Sequence, residues 1–317
     1  MPPRWFRPRR AALWSLLMLP LPALSGCAGA AAPAPLSLPS HRPSAEATSA
    51  TPTRARSTAV TLTPPAVASA TWSPTGSRIA DVPVTEVTMV DSGRISLLWI
   101  NALALRFRFV PGTEVPENSP STAADNRPTW VPHLAAAFNG GFWLKDHSGG
   151  YYYDRTTVTS MRPGYASLVI TTDGRISVQP WKAGTAIGPH VAVVRQNLSP
   201  MIVDSRVQSN GSPAHPTWGV PTKGQYVTNR SALGELADGT LVYEFGYHVT
   251  PAEMATAMTL THARTAMSLD INGSWPMAFT YTHNAGVSGV RIAYREYHDP
   301  SVYYTRYRKD FIAALLP

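Results

Sequence analysis

The sequence predicts an α+β fold: a single mixed domain, strand-rich with hairpins, and a few helices packed on the sheet. Three observations lead there. Runs rich in β-branched and aromatic residues recur from about residue 84 to residue 270. Two pairs of such runs are joined by Asp173-Gly174 and Asp238-Gly239, the turn chemistry of tight hairpins. Thr250-Pro251-Ala252-Glu253 then carries the signals of a helix start, a capping box with proline at the first helical position.

Taken in order, the chain opens on a targeting segment. Arg4, Arg7, Arg9 and Arg10 form a positive stretch, and the apolar run Ala11–Leu24 is too short for a stable span and is broken by Pro20 and Pro22. It ends in Leu24-Ser25-Gly26-Cys27, which resembles a bacterial lipobox with Cys27 as the lipidation site; an ordinary secretory signal beside a chance Cys is the plainer alternative. Residues 1–26 are thus read as a lipoprotein signal peptide. Residues 27–77 are rich in Ala, Pro, Ser and Thr, bury too little to offset their ordering entropy, and are read as a tether. Residues 78–317 are the domain. The expected address is the outer face of a bacterial membrane, with the membrane as partner through the lipid.

Within the domain, strands are predicted at Val84–Val90, Ile95–Ile100, Leu105–Val110, Tyr165–Thr171, Arg175–Gln179, Val191–Arg195, Ser231–Ala237, Thr240–Tyr247 and Thr265–Leu269. The run ending at Phe138 reads as a buried strand or a short helix. After the Thr250 cap, Met254, Ala257, Met258 and Thr261 recur at helical spacing and form a core-facing stripe. A last helix is predicted over about Arg308–Leu316. Residues 111–130 and 208–224 read as long loops, which in compact domains often serve function.

Composition narrows the function classes. The formal charge is +8, and half of it sits in the first 26 residues. Arg42, Arg54 and Arg56 against Glu46 take half of the remainder, so the domain itself is only weakly basic and no nucleic-acid partner is implied. The one cysteine precludes an internal disulfide. The nine histidines never adopt His-Glu-x-x-His spacing, and there is no Gly-x-Ser-x-Gly elbow, Walker motif or dinucleotide fingerprint. No cofactor or metal ligand set is identified, although the sequence leaves a divalent cation open. Oligomeric state is not legible.

Three short motifs carry the functional argument. Asn139-Gly140-Gly141-Phe142-Trp143 ends a small apolar run in bare backbone, which suits a tight turn or the close approach of a ligand. Arg230, just before Ser231, presents a planar fork that pairs with phosphate, carboxylate or a surface acid. Asp270, at the end of Met267–Leu269 and followed by Asn272-Gly273-Ser274, is either a site carboxylate or the cap of an Asx-turn. Tyr151-Tyr152-Tyr153 can stack on sugars or pack a loop. Tyr303, Tyr304 and Tyr307 read as core or edge-strand residues.

In this order and spacing the motifs resemble the phosphodiester glycosidase family, over roughly residues 85–300. The family pattern is Asn-Gly-Gly-[Phe/Tyr]-Phe, an Arg-Thr-[Ala/Ser]-Ile-Gly strand with an Asp-Gly hairpin, a helix, then Leu-Asp-Gly-Gly-Gly-Ser. Its counterparts here are Asn139–Trp143, Arg230–Gly234 with Asp238-Gly239, the Thr250 helix, and Leu269–Ser274. Two departures stand out: Ile271-Asn272 replace two glycines, and Arg195-Gln196-Asn197-Leu198-Ser199-Pro200 replaces a Gly-Gly-Pro segment.

The resemblance implies hydrolysis of a glycosidic bond to phosphate in an envelope or extracellular glycan. It implies three catalytic residues: Asp270 as acid/base or nucleophile, Arg230 as phosphate clamp and Asn139 as a hydrogen-bond partner of the sugar or phosphate. Gly140, Gly141, Ser231, Asn272, Gly273 and Ser274 would line the substrate site. The implied ligand is a carbohydrate or sugar phosphate. The rival expectation is a non-catalytic glycan- or phosphoglycan-binding lipoprotein, to which the changes after Asp270 lend weight. A purely structural lipoprotein is a third.

Overall fold

The computed structural model describes residues 62–317 except 69, 121–126, 222–223, 294 and 306. The predicted signal peptide, Cys27 and most of the predicted tether lie outside the described residues. The end of the 27–77 segment is packed on the domain: Ser73–Pro74 pairs with Glu86–Val87, and Trp72 Nε1 donates to the Pro65 carbonyl at 2.7 Å.

The fold is nearly all-β, which corrects the α+β expectation. The largest sheet has eight strands in the order Ser73–Pro74, Thr85–Val90, Ile95–Ile100, Leu241–Val249, Thr228–Glu235, Thr265–Ile271, Pro200–Val203 and Arg206–Val207. A second, five-stranded sheet runs Ile176–Pro180, Ala166–Thr171, Val191–Gln196, Tyr151–Tyr153 and Thr156–Thr159. A third, also five-stranded, runs Ser288–Arg291, Ala278–Thr282, Leu134–Asn139, Phe311–Leu315 and Arg106–Val110. Arg78–Ile79 and Val82–Pro83 form a small ribbon. Every strand ladder is antiparallel. Both Asp-Gly turns form, with Gly174 at φ +80° and Gly239 at φ +83°.

Among the described residues the only helix longer than two turns is Pro251–Thr259. Its capping box is complete: Thr250 Oγ1 accepts from Glu253 N at 3.2 Å, and Glu253 Oε2 accepts from Thr250 N at 2.7 Å. Met254, Ala257, Met258 and Thr261 are buried as the periodicity requires. The predicted last helix is the strand Phe311–Leu315, hydrogen-bonded on one side to Arg106–Val110 and on the other to Leu134–Asn139. A short apolar run buried on both faces has no alternation to betray it, and its alanines favour a helix only while no ladder competes. The same holds for Ala135–Phe138, the middle of a fully buried strand.

The large sheet divides the core by strand alternation. Leu98, Ile100, Tyr243, Phe245, Leu233 and Leu269 face inward, where they join Phe138 and Ile312 of the third sheet and Leu168 and Ile170 of the second. Leu97, Trp99, Val242 and Ala232 face the other way, under Met254 and Met258 of the helix. The helix can lie that close because Gly246 lacks a side chain: a Cβ there would sit 2.5 Å from Met254 Sδ.

Candidate active site

Three chain segments meet at Gly140. The strand Leu134–Asn139 ends there, and its last residue pairs with Phe311 of the C-terminal strand. Gly140 N donates to the Asp310 carbonyl at 2.9 Å, and Asp270 N donates to the Gly140 carbonyl at 3.1 Å. Asn139 is the strut beneath this junction. Its Nδ2 donates to Ser231 Oγ at 3.0 Å and to the Gly140 carbonyl at 2.9 Å. Its Oδ1 accepts from Tyr243 OH at 2.7 Å and from Met277 N at 3.1 Å. Ser231 Oγ in turn donates to the Asp270 carbonyl at 2.8 Å. Asn139, Ser231 and Asp270 are thus brought together, all buried, with the side-chain amide of Asn139 engaged at both ends.

Between Ser268 and Ile271 the ladder with Thr228–Glu235 slips by one residue. A bulge re-aims side chains. Asp270 Oδ1 accepts from Ile271 N at 2.8 Å, while Oδ2 receives Lys309 Nζ in a buried ion pair. The ammonium lies 4.8 Å from the centre of the Trp275 ring and 6.0 Å from that of Trp143, both half-buried indoles. Burial pulls the Lys309 ammonium down to about 8, an effect that outweighs the opposing attraction of Asp310. A second buried pair backs the first: Arg195 Nε lies 3.1 Å from Asp310 Oδ2. Arg195 also donates to Ser148 Oγ at 3.2 Å and to the Phe142 carbonyl.

The two glycines owe their place to close approach rather than to left-handed backbone, since neither has positive φ. A Cβ on Gly140 would sit 2.5 Å from the Asp310 carboxylate, and one on Gly141 would sit 2.8 Å from Asn197 Oδ1. The Asn197 side chain ties the loop to the strand behind it, accepting from Phe142 N at 3.0 Å and donating to the Ser268 carbonyl at 2.8 Å.

Arg230 lies elsewhere. It stands opposite Ile271 in the ladder, adjacent in sequence to Ser231 but on the other face of its strand. Its guanidinium is buried and donates to the carbonyls of Tyr226 at 2.8 Å, Val249 at 3.3 Å and Gly219 at 3.5 Å. Desolvation lowers it to about 10. Ile271 is fully buried beside Gly219 and Phe142. Asn272 (φ +74°) and Gly273 (φ +45°) turn the chain, and Asn229 holds the turn through the Gly273 carbonyl at 2.8 Å. Asn272 and Ser274 are half-exposed and Gly273 is exposed at this rim.

Lys309, Asp310, Arg195 and Asn197 were not foreseen as site residues. Their sequence signals were present: two charges directly ahead of a wholly apolar run, and a polar triplet closing an apolar strand. Among the described residues no group of three or more His, Cys, Asp or Glu is placed to hold a metal ion.

No protein-family model matches the chain, and no curated protein does. Solved structures show distant similarity of fold. One is the catalytic domain of zebrafish N-acetylglucosamine-1-phosphodiester alpha-N-acetylglucosaminidase, auto-inhibited by its pro-peptide. It is 15% identical, with a TM-score of 0.46 over 78% of this chain and 88% of that one. A hypothetical protein from Synechocystis is 13% identical, with a TM-score of 0.39 over 78% of this chain and 62% of that one.

Proposed function

We propose that the protein is a hydrolase that cleaves the glycosidic bond between a sugar and a phosphate, with Asp270 and Lys309 at its centre. The observation that carries this reading is the buried Asp270–Lys309 pair between the half-exposed rings of Trp143 and Trp275. Indole faces suit the apolar face of a pyranose. A desolvated ammonium suits a phosphate oxygen, and neutralising that oxygen makes phosphate a still better leaving group. A phosphate aglycone needs less general-acid help than a sugar alcohol, so one committed carboxylate suffices where ordinary glycosidases use two. Asp270 then attacks the anomeric carbon or activates a water, once phosphate has drawn Lys309 away from it. Asn139 and Ser231 hold the Asp270 backbone in register, and Arg230 braces the loop carrying Gly219 and Tyr226. The basic apolar N-terminus ending at Cys27 supports placing this enzyme, exported and lipid-anchored, at a bacterial envelope.

The test is release of reducing sugar from a sugar phosphodiester by the protein, with Asp270→Asn and Lys309→Met as variants. Loss of at least about 100-fold in kcat/KM, on the scale of a lost transition-state contact, is expected in both. Wild-type turnover in Asp270→Asn overturns the assignment. One observation favours a second reading, glycan binding without cleavage: Asp270 is neutralised by Lys309 in the free protein. Saturable binding with no sugar released selects it.

A further inference from the structure

A second cleft, of about 640 Å³, opens where the edge strand Arg106–Val110 of the third sheet passes the second sheet. It shares no lining residue with the Asp270 site. Its construction follows from strand alternation. Phe107 and Phe109 point into the core, and Arg106 and Arg108 are thrown to the rim. Across the cleft, the turn joining Tyr151–Tyr153 to Thr156–Thr159 raises Arg155, which has φ +61°. The remaining wall is the Asp173-Gly174 hairpin tip, locked to the edge strand by Phe107 N donating to the Gly174 carbonyl at 2.7 Å. Gly174 lies so close that a Cβ would meet Arg106 at 3.1 Å.

The cleft therefore has an apolar floor of the half-buried Tyr153, Val191, Ala192 and Leu315, with Tyr153 and Ala192 packed against the core that holds Phe109, Ile170 and Val193, and a basic rim. Among the described residues Arg108 and Arg155 have no carboxylate at ion-pair distance. Of the two acids on the lining, Asp173 is engaged by Arg175 at 3.2 Å, which leaves Asp154 against three arginines. Guanidinium forks match phosphate oxygens two by two. The volume falls within the ~300–1,000 Å³ range of small-molecule sites. A soluble sugar would leave the floor unused, and a free phosphate would leave both floor and volume unused. Only a ligand with one apolar body and one anionic end satisfies the whole lining.

We propose that this cleft binds a single-chain amphiphile with a phosphate head, its chain on Tyr153, Val191, Ala192 and Leu315 and its head between Arg108 and Arg155. The test is calorimetric titration of the intact protein with octyl phosphate below its critical micelle concentration, against octyl glucoside and inorganic phosphate. Octyl phosphate is expected to saturate at one per chain, and both comparison compounds to bind at least about 10-fold more weakly. Arg108→Ala and Arg155→Ala should each weaken octyl phosphate at least about 3-fold, and the double variant about 10-fold or more; Asp270→Asn should leave it unchanged. These arginines lie on the surface, so unchanged thermal unfolding will show that the variants are folded. No saturable binding, equal affinity for inorganic phosphate, or full affinity in the double arginine variant overturns the proposal.

Discussion

At the residue scale, the site is built from absences as much as from side chains. Gly140 and Gly141 are bare because Asp310 and Asn197 occupy the space their Cβ atoms would need. Gly140→Ala should therefore displace the Asp310 carboxylate and its Arg195 partner, costing about 1–3 kcal/mol as an overpacking change; a lowered denaturation midpoint at unchanged m-value checks it. Asn139 and Asp270 were legible as residues of interest because each closes an apolar run. Their roles were not legible, because the partners of Asn139 lie at positions 231, 243 and 277. Lys309 is the residue on which pH dependence should turn. Its ammonium is lowered to about 8, so a reaction that needs it charged loses kcat/KM as pH rises through about 8. A pH–rate profile flat to pH 10 would remove Lys309 from the phosphate-binding role.

At the element scale, local signals succeeded where they were sequence-local. The Thr250 capping box forms as written, and Thr250→Ala should cost about 1 kcal/mol, read by chemical denaturation. The Asp-Gly hairpins formed for the same reason: a turn's requirement for positive φ is met by the residue itself. The C-terminal segment failed the same logic. Phe311–Leu315 has helix-compatible residues, yet it fills the slot between two strands that come from residues 106–110 and 134–139. Ladder bonds to distant partners outweigh propensities of a few tenths of a kcal/mol per residue. That placement delivers Lys309 and Asp310 to the site.

At the scale of the whole molecule, three antiparallel sheets enclose one inner core, and two glutamates, Glu244 and Glu296, are buried in the folded domain in addition to the site carboxylates Asp270 and Asp310. Glu244 has both carboxylate oxygens without a hydrogen-bond partner, and Glu296 has one. Burial raises both groups, Glu296 to about 8 from 4.5. A carboxyl raised on folding binds its proton more tightly in the native state. Its contribution is thus fully present below about 4.5 and is lost as pH rises through about 8. Lys309 has the opposite slope at higher pH: lowered from 10.5 to about 8, it adds stability as pH rises across that interval. Glu296→Gln should accordingly flatten the loss of stability between pH 5 and pH 8. Equilibrium unfolding of both proteins at several pH values measures this, and parallel curves would contradict it.

The sequence by itself determined what depends on near neighbours: the strand-rich texture, the two hairpins, the capped helix, and the points where apolar runs end in Asn139 and Asp270. Tertiary structure alone decided what depends on distant ones. It made the last segment a strand, turned Arg230 toward loop carbonyls, and set Lys309 against Asp270 between two indoles. The physical reason is that capping and turn chemistry are completed within a few residues. A ladder partner or a buried counter-ion is chosen only when strands far apart in the chain come to lie side by side.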